Sequence, residues 1–203
     1  MKQFRTPYFF RWIFHRRVWG FSRQSGFVYL TFDDGPTPEC THWILDQLSA
    51  RNIKATFFCV GANAKSHPEL MKRIINEGHS IGNHTMRHEK GTQTKKEDYF
   101  RSIEEAAAFI PSKLFRPPYG RIPMAFTKEL RKKYDVIMWT WLSYDYHPDV
   151  CAAQILDRAK SIQSGDILVL HDNVKSFDKL KETLPELLRL IEEKGLKFAP
   201  ISA

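Results

Sequence analysis

Short apolar, β-favouring runs alternate with helix-period segments from Phe27 to the C-terminus, and this alternation constrains the fold more than any other feature of the chain. Strand-like runs occupy residues 27–32, 55–60, 80–83, 113–116, 136–139, 166–170 and 197–200. Between them, Ile44, Leu45 and Leu48 share one helical face, as do Leu70, Met71, Ile74 and Ile75. Leu180, Leu184, Leu187, Leu188 and Ile191 do the same in a last helix over 178–194. Further helices are expected over 95–110, 124–133 and 152–162. Strands that alternate with helices predict a parallel α/β domain. Right-handed crossovers then put every strand's carboxyl end on one side. At 203 residues the chain is long enough for one domain with a sizeable core.

Polar residues collect at those strand ends. The run Phe27-Val-Tyr-Leu-Thr-Phe32 stops at Asp33 and Asp34, followed by the breakers Gly35 and Pro36. Neighbouring side chains on an extended segment point opposite ways, so two adjacent carboxylates can do two jobs, one toward a metal and one toward a proton. The same segment would also serve as a plain polar turn. Later strand ends bring His84, Arg116, Asp145 and His171 to the same side.

His84 and His88 are four residues apart. One helical turn would put both imidazoles on one side, where two His and one carboxylate leave positions open for water and substrate. Taken together, Thr31-Phe-Asp-Asp-Gly-Pro36, His84-Thr-Met-Arg-His88, Arg116-Pro-Pro-Tyr-Gly120, Ser143-Tyr-Asp-Tyr146 and Val169-Leu-His-Asp172 resemble, in order, the motifs of the polysaccharide deacetylase family. This is the NodB-homology domain of carbohydrate esterase family four. The resemblance covers Phe27 to the C-terminus.

The resemblance implies a distorted (β/α) barrel of about seven parallel strands. It also implies a metal-dependent hydrolase that removes N-acetyl groups from amino-sugar polymers such as peptidoglycan or chitin. By match to its motifs, Asp34, His84 and His88 hold the metal, Asp33 is the base and Arg116 pairs with it. Tyr119 supplies an oxyanion-binding N–H, His171 is the acid and Asp145 orients it. Tyr146 stands where the family usually has Trp, and Leu142 and Ser80 depart from residues frequent in the family. Tyr146 retains an aromatic wall for the substrate. Of Trp139 and Trp141, one is expected in the core and the other beside the groove, and Trp141 is taken as the groove residue. Asp172, next to His171, is read as orienting the loop. Two His and a carboxylate suit Zn2+ and also accept Co2+, Ni2+ or Mn2+. The alternatives are a deacylase of O-acetyl xylan or of a non-sugar amide, and a non-catalytic carbohydrate-binding module.

The formal net charge of +8 suits anionic surroundings, but no recognisable nucleic-acid module accompanies it and no nucleic acid is expected as partner. Cys40, Cys59 and Cys151 are odd in number and widely spaced, so no disulfide framework is expected. Residues 1–26 form a basic-aromatic segment ahead of a catalytic domain over 27–203. Residues 1–20 interleave Phe4, Phe9, Phe10, Trp12, Ile13, Phe14, Val18 and Trp19 with Lys2, Arg5, Arg11, Arg16 and Arg17. Arg11 interrupts any signal-peptide core, and the run is too short and charged to span a bilayer. We read these aromatics as packing across the barrel floor. The second reading is an interfacial anchor with peripheral membrane contact. A monomer in a cytoplasmic or membrane-peripheral location is expected.

Overall fold

The computed structural model describes residues 4–202. Lys2, counted above among the basic residues of the N-terminal run, lies outside them. The strands are β1 (Phe27–Asp33), β2 (Thr56–Cys59), β3 (Ser80–Asn83), β4 (Leu114–Phe115), β5 (Asp135–Val136), β6 (Trp141–Leu142), β7 (Ile167–His171) and β8 (Lys197–Phe198). All named pairs are parallel, in the order β5-β4-β3-β2-β1-β7-β6, with β8 beside the start of β1. The helices are α1 (Tyr8–Ile13), α2 (Pro38–Ser49), α3 (Gly61–Ser66), α4 (Pro68–Asn76), α5 (Lys96–Ala107), α6 (Met124–Leu130), α7 (Ala152–Ala159) and α8 (Val174–Glu193).

One run closes the sheet. Residues 135–142 continue from β5 into β6; the first half pairs with β4 and the second with β7. The run thus bridges the two ends of the strand order, and the sheet curls into a distorted barrel. A bend at Thr140 separates the halves. The sequence reading places one strand at 136–139; two short strands stand there instead, because the run changes partner midway.

Each central strand is buried on both faces, as parallel strands are. Val28, Leu30 and Phe32 of β1 pack outward with Ile44, Leu45, Leu48, Leu184 and Leu188 of the helices. Tyr29, Phe58, Leu114, Ile137 and Ile167 pack together in a separate cluster inside the barrel. Alternation along β1 therefore leads Tyr29 and Thr31 to Asp33 on the inner side.

Helix α8 starts four residues before the expected position. The Asn173 side chain accepts the Ser176 N–H and caps it, and residues 174–177 carry no apolar repeat to reveal that turn. Ile75, placed on the apolar stripe of α4, is exposed. Neither α1 nor α3 was expected from the sequence.

The N-terminal segment is built into the barrel at two places. Phe4–Thr6 run antiparallel to β6, with the Thr6 N–H donating to Thr140 O at 3.0 Å and the Leu142 N–H to Phe4 O at 2.9 Å. Val18 sits beside β5, its N–H donating to Val136 O at 2.8 Å and its carbonyl accepting from Met138 at 2.7 Å. These bonds satisfy backbone groups that β5 and β6 leave unpaired where they change partner. Arg5 and Arg23 both donate to the buried Asp166 carboxylate at 2.9 Å. Phe4 is buried against Trp141 and Tyr144. Phe4 and Val18 are thus held along the edges of β6 and β5, whereas the aromatics of α1 are exposed. We predict that Phe4→Ala lowers unfolding stability by about 3 kcal/mol in urea titration. A loss below about 0.5 kcal/mol, the range of ordinary surface substitutions, would mean that the segment is only laid on the surface.

Candidate active site

The ends of β1 to β7 converge on a cavity of about 560 Å³. Its walls include Asp33, Asp34, His84, His88, Tyr119, Tyr146 and His171. Sequence-distant residues meet here because every parallel strand delivers its carboxyl end to the same rim.

The two aspartates take different environments. Asp33 is the last inward residue of β1 and accepts from Arg116 Nη1 at 2.6 Å. Asp34 adopts φ 83°, which ends the strand and turns its carboxylate toward the histidines. Gly35 follows, and a Cβ there would lie 1.8 Å from the Asp172 carboxylate. Asp172 approaches that closely because it accepts the Gly35 N–H at 2.9 Å and the Thr41 hydroxyl at 2.7 Å. This buried carboxyl fixes the turn after β1 rather than the loop after His171; burial first, then the charge of Asp34, pushes it up to about 8 against its hydrogen bonds.

Arg116 is fully buried and organises one side of the cavity. Its guanidinium donates to Thr31 Oγ1 at 2.6 Å, Asp33 Oδ1 at 2.6 Å and Met138 O at 3.1 Å, and lies 4.0 Å over the Phe58 ring. Burial lowers its pKa, and the Asp33 charge opposes that. The same residue's carbonyl lies 2.7 Å from His84 Nδ1. An Nδ1–H donating to it leaves the Nε2 lone pair facing Asp34.

His84 Nε2 and His88 Nε2 lie 3.6 and 3.1 Å from Asp34 Oδ1. The other oxygen, Oδ2, accepts from Asn173 Nδ2 at 2.7 Å. Ligand atoms about 2 Å from a tetrahedral ion are about 3.3 Å apart, so two imidazole nitrogens and one carboxylate oxygen at these spacings fit a divalent cation. Among the described residues this is the one group of three metal-binding side chains, its donor atoms all within 4.8 Å. Burial, the largest influence, lowers His84 to about 4 and keeps it neutral, as a ligand must be. Burial would raise Asp34, but the His88 hydrogen bond and then the charge of His171 hold it well below the usual carboxylate range.

The histidine pair does not lie on a helix, contrary to the reading from its spacing. Residues 84–88 form a tight turn with Thr85 at φ 63° and His88 at φ 60°. The Thr85 N–H donates to Asn83 Oδ1 at 2.9 Å, and the ring centroids come within 5.0 Å. Two left-handed residues therefore do what one helical turn would have done.

Across the cavity, Asp145 holds His171. Its Oδ1 lies 2.7 Å from His171 Nδ1, and its Oδ2 accepts the His171 N–H at 2.8 Å. Burial alone would lower His171; the Asp145 charge and hydrogen bond, with smaller contributions from Asp34 and Asp33, raise it to about 9. Tyr146 stands edge-on to His171 at 4.7 Å. Burial lifts its hydroxyl to about 12, so it is a neutral wall. The Tyr119 ring lies 4.6 Å from that of His88. Its turn is closed by bonds from Gly120 to Pro117 and from Arg121 to Pro118, neither of which uses the Tyr119 N–H.

Trp141 requires a correction. It is fully buried, its indole against Phe4 and the Arg158 carbonyl, while Trp139 lines the cavity. Two residues apart on a straight strand they would share a face; the bend at Thr140 turns them apart. Thr31 and Asn173, which brace Arg116 and Asp34, were not singled out from the sequence. The sign available was an Asn three residues before Ser176, an N-cap spacing.

The polysaccharide deacetylase family model matches residues 22–136. A peptidoglycan-N-acetylglucosamine deacetylase of Bacillus cereus is 31% identical over 193 residues, with 91% of each chain covered. A chitooligosaccharide deacetylase of a Bradyrhizobium species is 28% identical over 215 residues, covering 92% of this chain and 94% of that one. The crystal structure of the Bc1960 peptidoglycan N-acetylglucosamine deacetylase matches with a TM-score of 0.83 at 30% identity, covering 97% of this chain and 95% of that one. Fold and likeness together define a hydrolase of the carbohydrate esterase class. The chain belongs to the polysaccharide deacetylase family, whose members are metal-dependent.

The pH behaviour of His171 follows from its pairing. A histidine with a raised folded pKa adds stability that is full below its ordinary value of 6.5 and is lost as pH rises through about 9. In metal-free protein, NMR titration of the His171 ring should place its midpoint near 9 in the wild type and below 6.5 in Asp145→Asn, where burial acts with less opposition. An unmoved midpoint in the variant would show that Asp145 is not the cause.

Proposed function

We propose that the protein hydrolyses the N-acetyl groups of amino-sugar glycans, with peptidoglycan N-acetylglucosamine as the leading substrate, and that the machinery resides in residues 27–203. The names of the relatives support the substrate class. The observation that carries the reading is the division of labour between adjacent carboxylates, Asp33 on Arg116 and Asp34 on the two histidines.

In this reading Asp34, His84 and His88 hold a divalent cation, zinc first and cobalt, nickel or manganese as alternatives. The bound ion would supply Lewis acidity that polarises the acetyl carbonyl and eases deprotonation of water. Asp33 takes the proton from the attacking water. Arg116 and Thr31 hold that carboxylate system still, so the base does not reorganise during the step. The Tyr119 N–H donates to the oxygen that gains charge as carbonyl carbon becomes tetrahedral. The C–N bond breaks only if nitrogen leaves as an amine, and His171, charged through Asp145, protonates it. Tyr146 and Trp139 wall the cavity beside the sugar.

The reading is tested by acetate release from N-acetylglucosamine oligomers and peptidoglycan, with O-acetyl xylan as comparison. Chelation should abolish release and added zinc or cobalt restore it. Asp33→Asn and His171→Ala should each lower kcat by about 10²–10⁴-fold with metal still bound. His84→Ala should lose metal in elemental analysis. Release from O-acetyl xylan alone, or full activity in the metal-free protein, would overturn the reading.

A further inference from the structure

The segment between the two places where the N-terminus joins the barrel is unusual for a protein surface. No residue of α1 is buried. Five of its six residues are large hydrophobics: Tyr8 is 79% exposed, Phe9 56%, Phe10 41%, Trp12 76% and Ile13 42%. The Phe9 and Phe10 rings are 4.4 Å apart, and Phe10 stacks on Phe14 at 6.3 Å. Scattered exposed hydrophobics are ordinary; a run of them on one short element marks an interaction surface.

We propose that this patch docks the enzyme on an anionic lipid bilayer. The charge pattern selects that occupant. The first 32 residues contain no Asp or Glu and six Lys or Arg. Arg5 and Arg23 are spent on Asp166, and Arg17 is buried with its guanidinium on the Ile122 carbonyl. Arg11 and Arg16 flank the patch without an acidic partner among the described residues. Trp, Tyr and Phe beside Arg match a bilayer interface, where rings sit among headgroups and guanidinium groups meet lipid phosphates. A second copy would bring a net charge of +8 against another +8, with the same arginines face to face.

The fold also suits the role. Phe4–Thr6 and Val18 are pinned to β6 and β5, so α1 is held at both ends and little order has to be gained on docking. The antiparallel pairing of Arg5 with Trp141 carries the chain away from the strands' carboxyl ends. The patch therefore leaves the barrel on the side away from the cavity, and a docked enzyme keeps its cavity open to a polymer. Among the described residues no helix is long and apolar enough to cross a membrane.

Sedimentation of the full chain with vesicles tests the proposal. One set is phosphatidylcholine alone, the other phosphatidylcholine with phosphatidylglycerol. The wild type should bind the anionic vesicles, and the double variant Phe9→Ser/Trp12→Ser should bind them at least about tenfold more weakly. Arg11→Glu/Arg16→Glu should lose about tenfold on anionic vesicles and little on neutral ones. Trp12→Phe should keep sedimentation but lose the vesicle-induced blue shift of tryptophan emission. Unchanged melting temperatures would show that the variants fold. Equal binding by the wild type and the Phe9/Trp12 variant, or equal binding to both vesicle types, would overturn the proposal. So would a dimer in light scattering that the Phe9/Trp12 variant breaks, since the occupant would then be a second copy.

Discussion

The buried guanidinium of Arg116 is the interaction on which the site depends. A charge in the barrel interior is costly unless paired and hydrogen-bonded, and Arg116 meets both conditions through Asp33, Thr31 and two backbone carbonyls. The Phe58 ring beneath it adds a cation–π contact. Through its side chain Arg116 fixes Asp33, and through its own carbonyl it orients His84. One residue thus couples the side of the cavity assigned to the water's proton with the side assigned to the metal. A lysine could not do this, because one ammonium cannot reproduce the planar fork that reaches a carboxylate, a hydroxyl and a carbonyl together.

The histidines show how placement alone sets chemistry. His84 and His171 are both enclosed, and burial presses on both toward the neutral form. His84 faces a backbone carbonyl on one nitrogen and stays neutral, ready to ligate. His171 has the Asp145 carboxylate on its Nδ1, and that pairing outweighs burial. Identical side chains at two strand ends of one sheet are therefore held in opposite states, His84 neutral and His171 charged. The difference lies in the second partner of each ring.

The barrel closes through a compromise. The run 135–142 serves β4 with its first half and β7 with its second, which leaves one edge of each half unpaired. Phe4–Thr6 and Val18 cover those edges. Pinning the chain at two points strands α1 between them with no surface left to cover it, so the exposed aromatics follow from the way the barrel is sealed.

The sequence by itself determined the parallel alternating architecture, because periodicity and turn residues are local properties. It also determined the residue types at the strand ends: Asp33, Asp34, His84, His88, Arg116, Tyr119, Asp145, Tyr146 and His171 all line or brace one cavity. Tertiary structure decided what depends on direction and partner. The sense in which Trp139 and Trp141 point was set by a bend at Thr140, and the histidine pair met through left-handed backbone at Thr85 and His88 rather than through a helix. Asn173 and Thr31 became braces only when strands far apart in sequence came into register. The N-terminal segment divided between barrel and solvent for the same reason: hydrogen-bonding edges left by distant strands chose which of its residues to hold, and no local pattern encodes that choice.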